Sequence, residues 1–218
     1  MNLPARPLAI VFDWDNTLVN TFPTIHAAMN VALSAMGQNQ WSLAETHEKA
    51  RQSLRDHFPK LFGERWQEAR EIFYAAFRRL HLEQIVPMAG AAETLRHLHE
   101  AGLPLAVVSN KTGEYLRRES AHLGWDGYFA CLVGANDTAK DKPARDPLDK
   151  ALTAIGLAPS TRIWFVGDAD IDMACALNGG CLPVLLREKP PTADEFGVFA
   201  PAMHLPHCDA LKALVNRL

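Results

Sequence analysis

Cysteine is scarce in this chain and poorly spaced for chemistry. Cys131, Cys175, Cys181 and Cys208 are the only four in 218 residues, and no two form a C-x-x-C pair. That spacing excludes a zinc ribbon and a redox dithiol and leaves free, mostly buried thiols. No charge of one sign dominates: 22 Lys+Arg stand against 25 Asp+Glu, a net charge of −3. A protein that grips nucleic acid through a basic face would be far more positive, so no nucleic-acid partner is expected. No uninterrupted apolar run approaches the roughly 20 residues of a bilayer span, so no membrane-crossing helix is expected. The N-terminus lacks a signal-peptide layout and soon reaches Asp13 and Asp15, which gives the expectation of a cytoplasmic protein starting near Met1. Repeats and low-complexity tracts are missing. The nine histidines are scattered, and His97 and His99 lack zincin spacing. What is present is a globular composition, 48% hydrophobic, sufficient for one large domain or one domain carrying an insert.

Leu8 to Phe12 is a short apolar run between Pro7 and a polar turn. Such a run fits a strand buried on both faces of a parallel sheet. Leu103 to Val108, Cys131 to Val133, Ile163 to Val166 and Leu182 to Leu186 read the same way. Helical patterns lie between them, at Ala91 to Glu100, Gly113 to Leu123 and Pro147 to Ile155. This alternation predicts an α/β fold with a Rossmann-like, doubly wound parallel sheet. The pattern fails from Asn20 to Val86, where no strand is legible. Thr24 to Met36 has helical spacing, Ser42 to Glu45 has the S-x-x-E capping pattern, and about Glu64 to Leu82 carries an apolar stripe. The expected organisation is therefore a core of residues 1–19 and 87–218 with an all-helical insert over 20–86. Pro190-Pro191 and the stretch from Pro201 to Pro206 read as loops.

The first strand runs directly into Asp13-Trp14-Asp15-Asn16-Thr17-Leu18. Ligands of open α/β sheets bind at the carboxyl ends of strands. Residues i and i+2 of an extended chain share a face, so both carboxylates can approach one substrate atom. Ser109-Asn110 follows the second strand, and Gly167-Asp168 with Asp172 follows a later one. Asp168 and Asp172 are four apart where a helix begins, so they can face one ligand. Carboxylates suit a hard octahedral cation such as Mg²⁺. The ammonium of Lys142 and a hydroxyl suit phosphate oxygens.

In their order, D-x-D-x-T-L, Ser-Asn, Lys-Pro and G-D-x-x-x-D resemble the haloacid dehalogenase-like hydrolase superfamily, over almost the whole chain. The subgroup resemblance is to phosphoglycolate phosphatase-like and phosphomutase-like members with a helical cap. The resemblance implies Asp13 as the nucleophile that forms an aspartyl-phosphate and Asp15 as the general acid/base. It implies that Ser109 and Lys142 hold phosphate. Mg²⁺ would be bound by Asp168, Asp13 and the backbone carbonyl of Asp15, with Asp172 as ligand or through a bound water. Asn16 stands where glycine is commoner, Trp14 where an aliphatic residue is usual, and Asn20 where many relatives have Asp. Asp170 reads as solvated surface.

The expected function is a Mg²⁺-dependent phosphatase acting on a small phosphorylated metabolite. A phosphomutase uses the same aspartates and is the alternative; a non-catalytic binding protein on the same scaffold is another. Halide removal is disfavoured, because such relatives lack the second aspartate. The insert should choose the substrate, with His26, Arg51, Arg55 and Lys60 as candidates beside Asn110 of the core, and Phe58 to Gly63 as a candidate loop. The sequence sets no oligomeric state.

Overall fold

Short β-branched and aromatic runs become strands here because each is closed on both sides by turn residues and is too short for a stable helix. In a computed structural model that describes residues 4–49 and 54–218, six such strands form one sheet. They are β1 (Ala9–Phe12), β4 (Leu105–Thr112), β5 (Cys131–Ala135), β6 (Ile163–Gly167), β7 (Leu182–Leu186) and β8 (Met203–Leu205). All neighbours are parallel, in the order β5-β4-β1-β6-β7-β8. The chain winds outward from β1 to β4 and β5, then returns and winds the other way through β6, β7 and β8. That is the doubly wound order, with its reversal between β1 and β6.

Every residue of β1 is fully buried, as a strand covered on both faces requires. The crossover helices are α5 (Ala91–Glu100), α6 (Gly113–His122), α7 (Asp146–Ile155) and α8 (Asp170–Asn178), and α9 (Cys208–Asn216) follows the last strand. Leu148, Ala151 and Leu152 of α7 and Cys175 and Ala176 of α8 pack on Val11, Ala106, Val108, Val133 and Phe165 of the sheet. Cys175, Cys181 and Cys208 are buried free thiols and Cys131 is half-buried. Burial pushes all four thiols up, which keeps them protonated and unreactive.

Residues 20–86 form a separate compact unit. It contains α1 (Phe22–Ala35), α2 (Leu43–Lys49), α3 (Leu54–Phe62) and α4 (Trp66–Leu80). The capping pattern at Ser42 is realised: the Ser42 N–H donates to Glu45 at 2.8 Å and the Glu45 N–H donates to the Ser42 hydroxyl at 3.2 Å. The segment from Phe58 to Gly63 departs from its reading as a loop. Phe58 to Phe62 close α3, with Pro59 inside the helix and Gly63 beginning the turn that follows. Phe58 and Phe62, four apart on one face, bring their rings to 5.2 Å, and Phe58 meets Phe73 of α4 at 5.7 Å. Apolar burial here overrides a local helix-breaking signal.

Three strands escaped the sequence. β2 (Val19–Asn20) and β3 (Val86–Pro87) pair as a two-stranded ribbon at the two ends of the insert. β8 lies in the stretch read as loop between Pro201 and Pro206. As a three-residue edge strand it can carry flanking prolines without breaking a ladder. β4 also runs past Val108 to Thr112, with an irregularity in its pairing to β5 between those residues. No helix among the described residues is long and apolar enough to cross a membrane.

Candidate active site

The reversal between β1 and β6 leaves a crevice at the carboxyl ends of those strands. Asp13 is the first residue beyond β1, and its N–H still donates to Val166 of β6 at 2.8 Å. It is therefore fixed by the sheet itself. The turn that follows needs a left-handed residue at Asn16, with φ of 61°, a conformation that asparagine tolerates. Thr17 then turns its hydroxyl back toward Asp13 Oδ2, at 3.4 Å.

Asp168 and Asp172 enter from the β6–α8 connection. Asp172 accepts from the Ala169 N–H at 3.1 Å, which pins the start of α8. Gly167 makes this possible: a Cβ there would lie 2.4 Å from Asp172 Cβ and Cγ. Asp13, Asp168 and Asp172 each offer a carboxylate oxygen within 4.8 Å of the others. Lys142 arrives between them. Its Nζ donates to Asp13 Oδ1 at 2.5 Å and to Asp172 Oδ1 at 2.6 Å. Asn110 holds the lysine's backbone, accepting from Lys142 N at 2.9 Å and donating to Lys142 O at 3.0 Å. Ser109 is buried beside it and its hydroxyl accepts from the Lys111 N–H at 3.1 Å.

The electrostatics follow from burying three carboxylates with one ammonium. Burial raises Asp13 first, Lys142 pulls it back, and the charges of Asp172 and Asp15 push it up again, to about 7. Burial and the same neighbours hold Asp168 well above the usual carboxylate range. Burial alone would lower Lys142, but its two aspartates outweigh that and hold it firmly protonated.

Asp15 stands two residues beyond Asp13 and meets a second lysine. Lys111 Nζ lies 2.6 Å from Asp15 Oδ1 and 2.6 Å from Glu119 of α6. Trp14 Nε1 donates to the same Glu119 carboxylate at 2.7 Å. Lys111 and Glu119 escaped the sequence reading. The signal was Lys111 itself, adjacent to Ser109-Asn110, but a Lys/Glu pair in and before a helix ordinarily reads as a solvated surface pair.

The candidates of the insert are placed as follows. His26 lies in α1, with Nδ1 2.8 Å from the Thr46 hydroxyl and Nε2 3.4 Å from the Asn30 amide, so both ring nitrogens face partners in the insert. Lys60 is exposed on α3. Arg51 lies outside the described residues, as does the side chain of Arg55. Asp170 is exposed at the first turn of α8, as read.

A doubly wound parallel sheet with a cluster of three carboxylates and a lysine at the carboxyl ends of its central strands places the chain among α/β proteins with a polar site at the strand reversal. Residues 10–185 match the family described as haloacid dehalogenase-like hydrolase, and the chain belongs to that family. A phosphoglycolate phosphatase of Pectobacterium atrosepticum is 31% identical over 183 residues, 80% of this chain and 78% of that protein. The pyrophosphatase PpaX of Halalkalibacterium halodurans is 29% identical over 171 residues, 78% of this chain and 79% of that one. Among solved structures, a hydrolase of the same superfamily from Ehrlichia chaffeensis is 29% identical, with a TM-score of 0.68 over 98% of both chains. A haloacid dehalogenase-like family protein from Streptococcus pneumoniae, 19% identical, shares the fold with a TM-score of 0.82 over 99% of this chain and 100% of that one. Within the family the chain groups with the phosphoglycolate phosphatase-like members and is a phosphoric monoester hydrolase.

Proposed function

We propose that the chain is a Mg²⁺-dependent phosphatase that hydrolyses a small, phosphoglycolate-like phosphomonoester through an aspartyl-phosphate, an acyl phosphate, on Asp13. The observation that carries this reading is the convergence on Asp13 of Lys142, Asp168 and Asp172, with Asp15 two residues along the chain. The family fold implies a divalent cation, and the residues suit one. Their donors are all oxygen, and the raised Asp13 and Asp168 carboxyls mark negative charge that one lysine does not balance. Asp13, Asp168 and the backbone carbonyl of Asp15 would hold Mg²⁺, with Asp172 beside it. When bound, the cation would neutralise phosphate and carboxylate charge that otherwise repel.

The chain's own groups then divide the chemistry. Lys142 and the Ser109 hydroxyl hold phosphoryl oxygens. An Asp13 oxygen attacks phosphorus, the bond to the leaving alcohol breaks, and Asp15 gives that oxygen its proton. In the second half, Asp15 takes a proton from water, the water oxygen attacks phosphorus, and Asp13 leaves as a free carboxylate with inorganic phosphate. Arg51, Arg55 and Lys60 of the insert, with His26, stay the candidates for choosing the leaving group.

The test is phosphate release by the purified protein with Mg²⁺ across a panel of phosphorylated small molecules including 2-phosphoglycolate, sugar phosphates and pyrophosphate. Phosphomonoesters should be hydrolysed and a two-carbon phosphorylated acid preferred. Preference for pyrophosphate would move the substrate class. Isomerised sugar phosphate with little free phosphate would move the reaction to a mutase.

A further inference from the structure

Two buried charges near Asp15 have no part in the reaction as drawn. Glu119 is 1% exposed and the Lys111 side chain 5%. Taking an ion pair out of water is costly, and an apolar pair of similar volume would serve stability as well or better. The trio of Asp15, Lys111 and Glu119 has one positive charge among three groups, so it is not an obvious device for neutrality either. Burial pulls the Lys111 ammonium down, and the charges of Asp15 and Glu119 more than reverse it, so it stays charged.

The geometry shows what this arrangement achieves. Trp14 is fully buried, and its ring meets Trp125 at 5.7 Å and Phe129 at 6.4 Å, both edge-on. Its N–H is therefore a fixed donor, and it fixes Glu119. Glu119 fixes Lys111, whose long stem would otherwise sample many rotamers. Lys111 in turn pairs with Asp15 at Oδ1, 2.6 Å away, as an ion-pair contact rather than an aligned hydrogen bond. That oxygen, Oδ1, is buried, while the Asp15 side chain as a whole is 31% exposed, so the exposure lies on the rest of the side chain, which includes the other oxygen. One oxygen is held inward beside Lys111, and the open part of the carboxyl lies away from it.

We infer that Lys111, held by Glu119 and Trp14, is a positioning residue that orients the Asp15 carboxyl so that its outer oxygen delivers the proton to the leaving group. The inference rests on the reading of Asp15 as the acid. A positioned acid matters in proportion to how poorly the leaving group departs unaided, and such an acid contributes about 10²- to 10⁴-fold. The quantity kcat/KM reports the chemistry only through departure of the alcohol. The experiment measures kcat/KM with Mg²⁺ on 2,4-dinitrophenyl, 4-nitrophenyl and phenyl phosphate. It uses the wild type, Asp15→Asn, Lys111→Met and Glu119→Gln.

Lys111→Met should lose about tenfold or more on phenyl phosphate and no more than about twofold on the dinitrophenyl ester, so its dependence on the phenol steepens toward that of Asp15→Asn. Glu119→Gln keeps shape and its Trp14 contact, and should shift the same way by less. It decides the matter if Lys111→Met does not fold. An equal loss on all three esters, or no loss, in a folded variant while Asp15→Asn steepens would overturn the inference and place Lys111 on phosphate or in the framework. A flat response in Asp15→Asn itself would take down the acid assignment and this inference with it.

Discussion

Asp13→Asn changes one oxygen to nitrogen and removes the negative charge that is to attack phosphorus. Its cavity and its Lys142 partner stay in place. Turnover should fall by about a thousandfold or more, as removal of a covalent nucleophile does, with the thermal midpoint moved by only a few degrees. Steady-state assays beside a melting curve check both. Retention of a large fraction of activity in a folded variant would sink the covalent reading. At this scale the carboxylates were readable, because acidic residues directly after apolar runs have one sensible place in an α/β sheet, and the structure brings Asp13, Asp168 and Asp172 together. Lys142, well beyond the end of β5, was legible instead through the Lys-Pro motif of the family resemblance. Asn110, expected to touch substrate, uses one N–H and its carbonyl oxygen to hold the backbone of Lys142, a positioning contact the sequence does not announce. Glu119 was invisible, since nothing in its helix's own pattern announces that a carboxylate points inward.

The β6–α8 connection is an element-scale device: Asp168 follows the strand directly and Asp172 sits in the first turn of the helix, two carboxylates within five residues of the strand's end. Gly167→Ala puts a Cβ 2.4 Å from Asp172 Cβ, with backbone-bound atoms on both sides, so the start of α8 has to shift. A displacement of about 1 Å at such a centre can cost about a hundredfold in rate. We expect that order of loss in kcat, with weaker Mg²⁺ dependence, while Gly127→Ala, whose Cβ would meet nothing within 4 Å, changes neither. A Mg²⁺ titration of activity in both variants is the measurement. The central strands were legible as elements because β1, β6 and β7 are continuous apolar runs. β8 was hidden by its length and its prolines, and α3 by Pro59, since in both cases tertiary packing decides against the local signal.

For the molecule as a whole, the buried carboxylates tie stability to pH and to metal. Asp13 holds its proton to about 7 when folded but releases it near 3.8 when unfolded. Between those values the folded chain binds more protons, so the metal-free protein loses stability as pH rises through that window and levels off above it. Asp168 adds to the same sign. Mg²⁺ bound as proposed would compete with those protons. Its stabilisation should be small near about pH 5 and reach roughly 5–10 °C near about pH 8 at a hundredfold excess over its dissociation constant. Thermal melts with Mg²⁺ and with chelator at both pH values check it, and a larger shift at the acidic value would contradict the site. The α/β class was legible from alternation alone, whereas the strand order was not, because no local pattern says which way the chain turns after β5.

That order has a consequence for the chain as it is made. β1 is fully buried and has β4 on one edge and β6 on the other, yet those strands begin only at residues 105 and 163. While the ribosome works through the insert, β1 exists with both hydrogen-bonding edges bare, an apolar template for pairing with any other strand. A chain broken off between β5 and β6 would keep one of those edges open for good. Such fragments should collect in insoluble material rather than linger as partly folded enzyme, and the same exposed edge is a natural handle for chaperones.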